Sequence, residues 1–179
     1  RTQNLITAAQ YTVLSGVKCW DCNNNYIYAS SVGPTLPTTG FTYIAWARMK
    51  SSSATFRTLF RTNPDDHPLL INTGTNNLGM WDNPTGTFNF SGYTVASLAD
   101  VWAQWVVTGN SSGQTFYING QQVGTVTGQT AAGNSNWYIG AITTTQNFGY
   151  VANTLLYTAK LTLEQIQQNY YGLKGVFGV

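Results

Sequence analysis

The residues best equipped for chemistry gather in two short stretches, NPDDHP (63–68) and MWDNP (80–84). In the first, Asp65 and Asp66 precede His67, the only histidine of the chain. In the second, Asp82 and Asn83 follow Trp81. Calcium takes six to eight carboxylate, amide and backbone oxygens, so two such loops meeting at one rim could hold an ion through Asp65, Asp66 and Asp82. The same residue types close Asx turns with no ion present, and both readings stand at this point. The EF-hand spacing is absent. Sugar binding asks for a different set: an aromatic ring against the apolar face of a pyranose, with amides and carboxylates for its hydroxyls. Trp81 beside Asp82 and Asn83 fits that recipe, as do Trp137 and Tyr138 beside Asn134 and Asn136, although most aromatics of a β-sandwich belong to its core. The candidate ligand-binding residues are therefore Trp81, Asp82, Asn83, Asp65, Asp66 and His67.

Catalysis has little to work with. Glycoside hydrolysis needs two carboxyl groups flanking the scissile bond, and the single glutamate, Glu164, falls on an expected helix. His67 lies in an expected turn, and no G-x-S-x-G elbow is present. Cys19 and Cys22 form CWDC without a second CxxC to complete a zinc site. Their segment reads as strand, turn, strand, which suggests structural thiols or a local disulfide.

The elements that must position these residues are β-strands. Only 8% of residues are charged, against roughly 25% in an average soluble protein. Amphipathic helices spend Lys and Glu on their wet faces, so this composition opposes a helical fold. The net charge is +2, spread over Lys18, Arg48, Lys50, Arg57, Arg61, Lys160 and Lys174 without a phosphate-tracking cluster. No apolar run reaches the roughly 18 residues of a membrane span. Nucleic acid and membrane insertion are thus not expected partners. With 179 residues, a single domain spanning 1–179 is the simplest expectation. It begins at Arg1 without a signal peptide, as an excised module of a larger protein would.

Short apolar runs separated by turn residues mark the strands: 41–50, 53–62, 69–74, 77–83, 87–95, 101–109, 136–142 and 148–159. FTYIAWARMK (41–50) carries apolar residues on both faces, as a strand inside a sandwich does. In QTFYINGQQVGTVTG (114–128), Asn119-Gly120 predicts a type I′ hairpin with Ile118 facing Gln121, Tyr117 facing Gln122 and Phe116 facing Val123. One helix is expected in KLTLEQIQQNYYG. Thr162 and Gln165 stand at capping-box spacing, Leu163, Ile166 and Tyr170 form an apolar stripe, and Gly172 can end it. It reads as a lid over one end of the sandwich. Asn89 and Asn110 begin glycosylation sequons that would matter in a secretory pathway.

The order of FTYIAWARMK, VWAQWVVTGN, QTFYINGQQVGT, NWYIGA and FGYVANTLLYTAKLTLEQI resembles the laminin G-like domains of the concanavalin A-like lectin/glucanase superfamily. Gly149, Val151, Leu156, Tyr157, Leu161, Thr162 and Ile166 match the closing motif, with Glu164 one residue early. The resemblance implies an all-β, antiparallel jelly-roll sandwich with one short C-terminal helix. Family members often carry acidic residues where this chain has Ala152 and Asn153, which weakens a calcium role there. Glycoside hydrolases of this superfamily carry an E-x-D-x-(x)-E strand that this chain lacks. Its polysaccharide lyases set a histidine within a strand motif. The expected function is non-catalytic recognition of a glycan or a cell-surface protein by one module of an extracellular, cell-surface or virion-surface protein. The alternative is a structural or assembly domain of a capsid, fibre or adhesin. A polysaccharide-degrading enzyme comes third.

Overall fold

The computed structural model describes residues 11–29, 39–51, 56–62, 66–127, 137–140 and 146–179. Asp65, Asn134 and Asn136 lie outside this set. The chain folds as a jelly-roll sandwich of two antiparallel sheets. The first runs in the order β1 (Tyr11–Leu14), β2 (Val17–Asp21), β13 (Gly149–Tyr157), β4 (Phe41–Met49), β9 (Trp102–Asn110), β10 (Gly113–Ile118) and β11 (Gln121–Thr127). The second runs β3 (Ile27–Ala29), β12 (Trp137–Ile139), β5 (Phe56–Thr62), β6 (His67–Asn72), β7 (Asn77–Asp82) and β8 (Thr87–Thr94). A helix, α1 (Leu163–Phe177), follows the last strand.

Period-2 alternation explains the layers. In β4, Phe41, Tyr43, Ala45, Ala47 and Met49 point into the core with Leu59, Leu69, Ile71, Leu78 and Met80 of the opposing sheet. Ile44 and Trp46 point the other way and are also buried, because α1 covers them. Ile166 packs with Ile44, Val106 and Tyr117, and Phe177 with Trp46 and Trp102. The Phe177 ring stacks on Trp46 at 4.2 Å and 3°. That is why β4 reads as apolar on both faces. The helix thus lies on the outer face of the seven-stranded sheet and not over an end of the sandwich. The Thr42 hydroxyl pins its approach, donating to Ala159 O at 2.8 Å and accepting from Leu161 N–H at 2.9 Å.

The capping box forms as expected, with Gln165 N–H donating to Thr162 Oγ1 and Thr162 N–H to Gln165 Oε1. Gly172 does not end the helix, which continues through Gly175 to Gly178 in the left-handed conformation. Each interior glycine costs roughly 1 kcal/mol relative to alanine. Burial of Phe177 against two tryptophans outweighs that, since a buried phenylalanine is worth about 3 kcal/mol or more.

The Asn119-Gly120 turn has both central φ angles positive, at 50° and 74°. Tyr117 pairs with Gln122 and Ile118 with Gln121, as expected. A bulge then shifts the register, so Phe116 faces Gly124 instead of Val123. A side chain at Gly124 would run into the Ser91 carbonyl oxygen, so the bulge sets a residue without one where β11 meets β8. Cys19 belongs to the cluster beneath α1 and Cys22 to the core between the sheets. Their side chains point to opposite faces of the sheet and both thiols are free. The local disulfide is therefore excluded, and the structural role holds.

Candidate functional site

One outer face of the sandwich is sealed by α1. The other, on the six-stranded sheet, carries an aromatic and polar cleft of about 280 Å³. Phe56, Arg61, His67, Leu70, Trp81, Asn83 and Gln146 line it. Strand pairing puts them on one face: His67 opposes Trp81, and Trp81 opposes Phe88 across the next pair. Leu69 and Ile71 of β6, with Leu78 and Met80 of β7, take the inward positions.

Aromatic rings build the wall. Phe56 meets Trp81 edge-on at 5.7 Å and Phe88 at 6.1 Å. Gly79 makes room for this, because a Cβ there would sit 2.8 Å from Phe88 Cζ. Trp81 remains half-buried, with its neighbours Asn83 to Thr87 exposed. A half-buried ring held in place by packing can serve as a stacking surface.

The polar side of the cleft is a short hydrogen-bonded chain. Thr58 Oγ1 donates to Gln146 Oε1 at 2.7 Å and lies 3.0 Å from His67 Nδ1. With the hydroxyl proton directed to Gln146, Thr58 Oγ1 accepts from the His67 Nδ1–H. Asp66 is only 3% exposed and Oδ1 accepts from Asn83 N–H at 2.9 Å, tying the head of β6 to the end of β7. Asp82 Oδ2 accepts from Thr85 Oγ1 at 2.6 Å.

The structure thus brings Asp66, His67, Trp81, Asp82 and Asn83 to one end of β6 and β7. His67 stands at the head of strand β6, not in the expected turn, and Trp81 lies near the end of strand β7, inside the strand expected over 77–83. Asp66 and Asp82 spend carboxylate oxygens on closing loops, as turn formers do. Among the described residues no group of three or more acidic, histidine or cysteine side chains converges on a point; the calcium set expected from Asp65, Asp66 and Asp82 includes Asp65, which lies outside those residues. Trp137 is buried in the core beside Tyr43 at 4.9 Å, so only its neighbour Tyr138 reaches the outer face.

Sequence reasoning missed Phe56, Arg61 and Gln146. Gln146 comes from a connection with no pattern of its own. Phe56 and Arg61 were legible only as strand positions, since a bulge between Thr58 and Phe60 reverses the alternation along β5. Arg61 lies with its Cζ 4.8 Å from the centroid of the Tyr138 ring. Burial, then the nearby Tyr28, push the Tyr138 phenol up.

This geometry can be set beside known proteins. The profile of the concanavalin A-like lectin/glucanases superfamily, in its laminin G form, matches residues 21–167, and the chain belongs to that family. No curated protein matches it in sequence. Among solved structures, the ligand-binding domain of botulinum neurotoxin serotype D in complex with N-acetylneuraminic acid superposes with a TM-score of 0.70. It is 12% identical over 96% of this chain and 46% of its own. A suspected carbohydrate binding protein from Bacteroides ovatus gives 0.62 at 16% identity, covering 85% and 46% of the two chains. Trypanosoma rangeli sialidase with the inhibitor DANA gives 0.62 at 15% identity, covering 90% and 28%. At such identities the likeness is one of fold. This chain spans less than half the length of each of these chains.

Proposed function

We propose that this chain is a non-catalytic recognition module that binds glycan in the cleft on the outer face of its six-stranded sheet. The observation that carries the reading is the cleft itself. Trp81 and Phe56 offer apolar ring surface, while Arg61, His67, Asn83 and Gln146 offer donors and acceptors within the same 280 Å³. Sugars need both kinds of surface at once. The fold neighbours that bind N-acetylneuraminic acid or are suspected of binding carbohydrate support it. The module would serve a larger extracellular, cell-surface or virion-surface protein. Among the described residues no helix is long and apolar enough to cross a membrane.

A glycan array probed with and without calcium tests this. Binding should appear, should not require calcium, and should fall by about tenfold or more in Trp81→Ala, because a stacking ring contributes on the order of 1 kcal/mol beyond its buried area. Unchanged binding by that variant would remove the cleft from the site.

An assembly role is the second reading, and one observation favours it. The helix α1 leaves Leu163, Tyr171 and Val176 exposed. Concentration-dependent oligomerisation that Val176→Lys abolishes, in a chain that retains no sugar, would replace the glycan reading with this one.

A further inference from the structure

The pairing of ring and amide seen at Trp81 and Asn83 occurs a second time on the same outer face. In β3 and β12, Ile27, Trp137 and Ile139 pack toward the core, so alternation turns Tyr28 and Tyr138 outward and puts Tyr26 on the side of Tyr28. Tyr138 is the cross-strand partner of Tyr28 on one side and of Arg61 on the other. The Tyr28 and Tyr138 rings lie 4.7 Å apart, and the Tyr26 ring stands 5.4 Å from Tyr138 and 6.4 Å from Tyr28. The three rings hold one another in place, and each is half-buried.

Amides run beside the rings. Gln146 lines the cleft, and its neighbour Asn147 donates from Nδ2 to Asn24 Oδ1 at 3.1 Å. Asn24 is exposed and lies two residues before Tyr26. The tyrosine cluster therefore joins the cleft along two lines. One is Gln146 and Asn147; the other is Arg61, whose guanidinium braces the Tyr138 ring. From β3 to β7 this face crosses five neighbouring strands. Four strand spacings of about 4.8 Å make ~19 Å, more than one sugar ring covers. Two surfaces of the same chemistry, at the two ends of one continuous face, fit successive parts of one chain.

We propose that Tyr26, Tyr28 and Tyr138, with Asn24 and Asn147, form a second subsite, and that the sheet takes an oligosaccharide of several rings laid across its strands. One sugar ring rests on Trp81. A later one rests on the tyrosines and directs its hydroxyls to the two asparagines. This rests on the glycan reading above and adds to it length and direction.

A length series separates the two claims. The probes are oligosaccharides of two to six rings from cellulose, xylan, chitin, mannan and polygalacturonate, titrated by calorimetry. In at least one series the hexamer should bind about tenfold more tightly than the dimer. Tyr26→Ala alters a residue outside β3, and Asn24→Gly alters one whose φ of 64° glycine adopts freely, so both leave the strand pairing intact. Each should weaken the hexamer by about threefold to fivefold and shrink its advantage over the dimer, as loss of a distal contact does. Trp81→Ala should weaken dimer and hexamer alike. Affinity that levels off at the dimer, or a hexamer indifferent to both Tyr26→Ala and Asn24→Gly, would overturn the second subsite while leaving Trp81-dependent glycan binding intact. Failure of every series to bind, together with a blank glycan array, would overturn both.

Discussion

Tyr43 shows how a single residue can serve packing at the expense of its polar atom. Its ring stacks on Phe60 at 5.0 Å and lies against Trp137, yet its hydroxyl is buried with no hydrogen-bond partner. A buried unsatisfied group costs about 1–3 kcal/mol. Tyr43→Phe should therefore raise the melting temperature, with a gain on the order of 1 kcal/mol; a loss would mean that the hydroxyl has a partner in solution. The same burial makes the fold sensitive to alkali. Burial pushes the Cys22 thiol up to about 12 and the Tyr43 phenol well above its usual range. In the unfolded chain a thiol titrates at about 8.5 and a phenol at about 10. Above those values the unfolded state holds fewer protons than the folded one, so stability falls as pH rises. Thermal melts from pH 8 to 11 should show that decline, and Cys22→Ala should make it shallower. A flat profile would contradict the burial of these groups.

At the scale of elements, α1 and the strands around the cleft behave differently because different forces set their ends. The glycines at 172 and 175 lie within α1, and a Cβ at either would meet nothing within 4 Å. Gly172→Ala and Gly175→Ala should each stabilise the protein by roughly 0.5–1 kcal/mol. Phe177→Ala should cost about 3 kcal/mol, since it leaves Trp46 and Trp102 uncovered; chemical denaturation measures all three. The helix start was legible because Thr162 and Gln165 state it locally. Its end was not, because a glycine at 172 reads as a stop until Phe177 is seen stacked on Trp46. The same division holds in the sheets. Asn119-Gly120 announced its turn and the first two pairs of its register. The bulge beyond them follows from the approach of Gly124 to Ser91 on another sheet, which no local pattern contains. Trp81 falls in the strand expected over 77–83, which ends at Asp82, whereas His67, expected in a turn, opens β6.

For the whole molecule, the essential fact is the asymmetry of its two outer faces. A sheet that buries one face needs nothing on the other, yet both outer faces here carry aromatics. On the seven-stranded sheet they are Trp46 and Trp102, and α1 covers them. On the six-stranded sheet they are Tyr28, Tyr138, Phe56 and Trp81, and they stay half-buried around a cleft. The family resemblance pointed to the sandwich, and the residue types of two short stretches pointed to Trp81 and His67. Neither revealed which face would be left open, because that depends on where the last fifteen-residue helix lies down. The most direct test is an amide-shift map of the labelled protein titrated with a bound oligosaccharide. The perturbed residues should cluster on β5, β6 and β7 and the connection at Gln146, centred on Phe56, Arg61, His67 and Trp81. Perturbation confined to α1 or to the β1 edge would contradict the assignment of the open face as the binding surface.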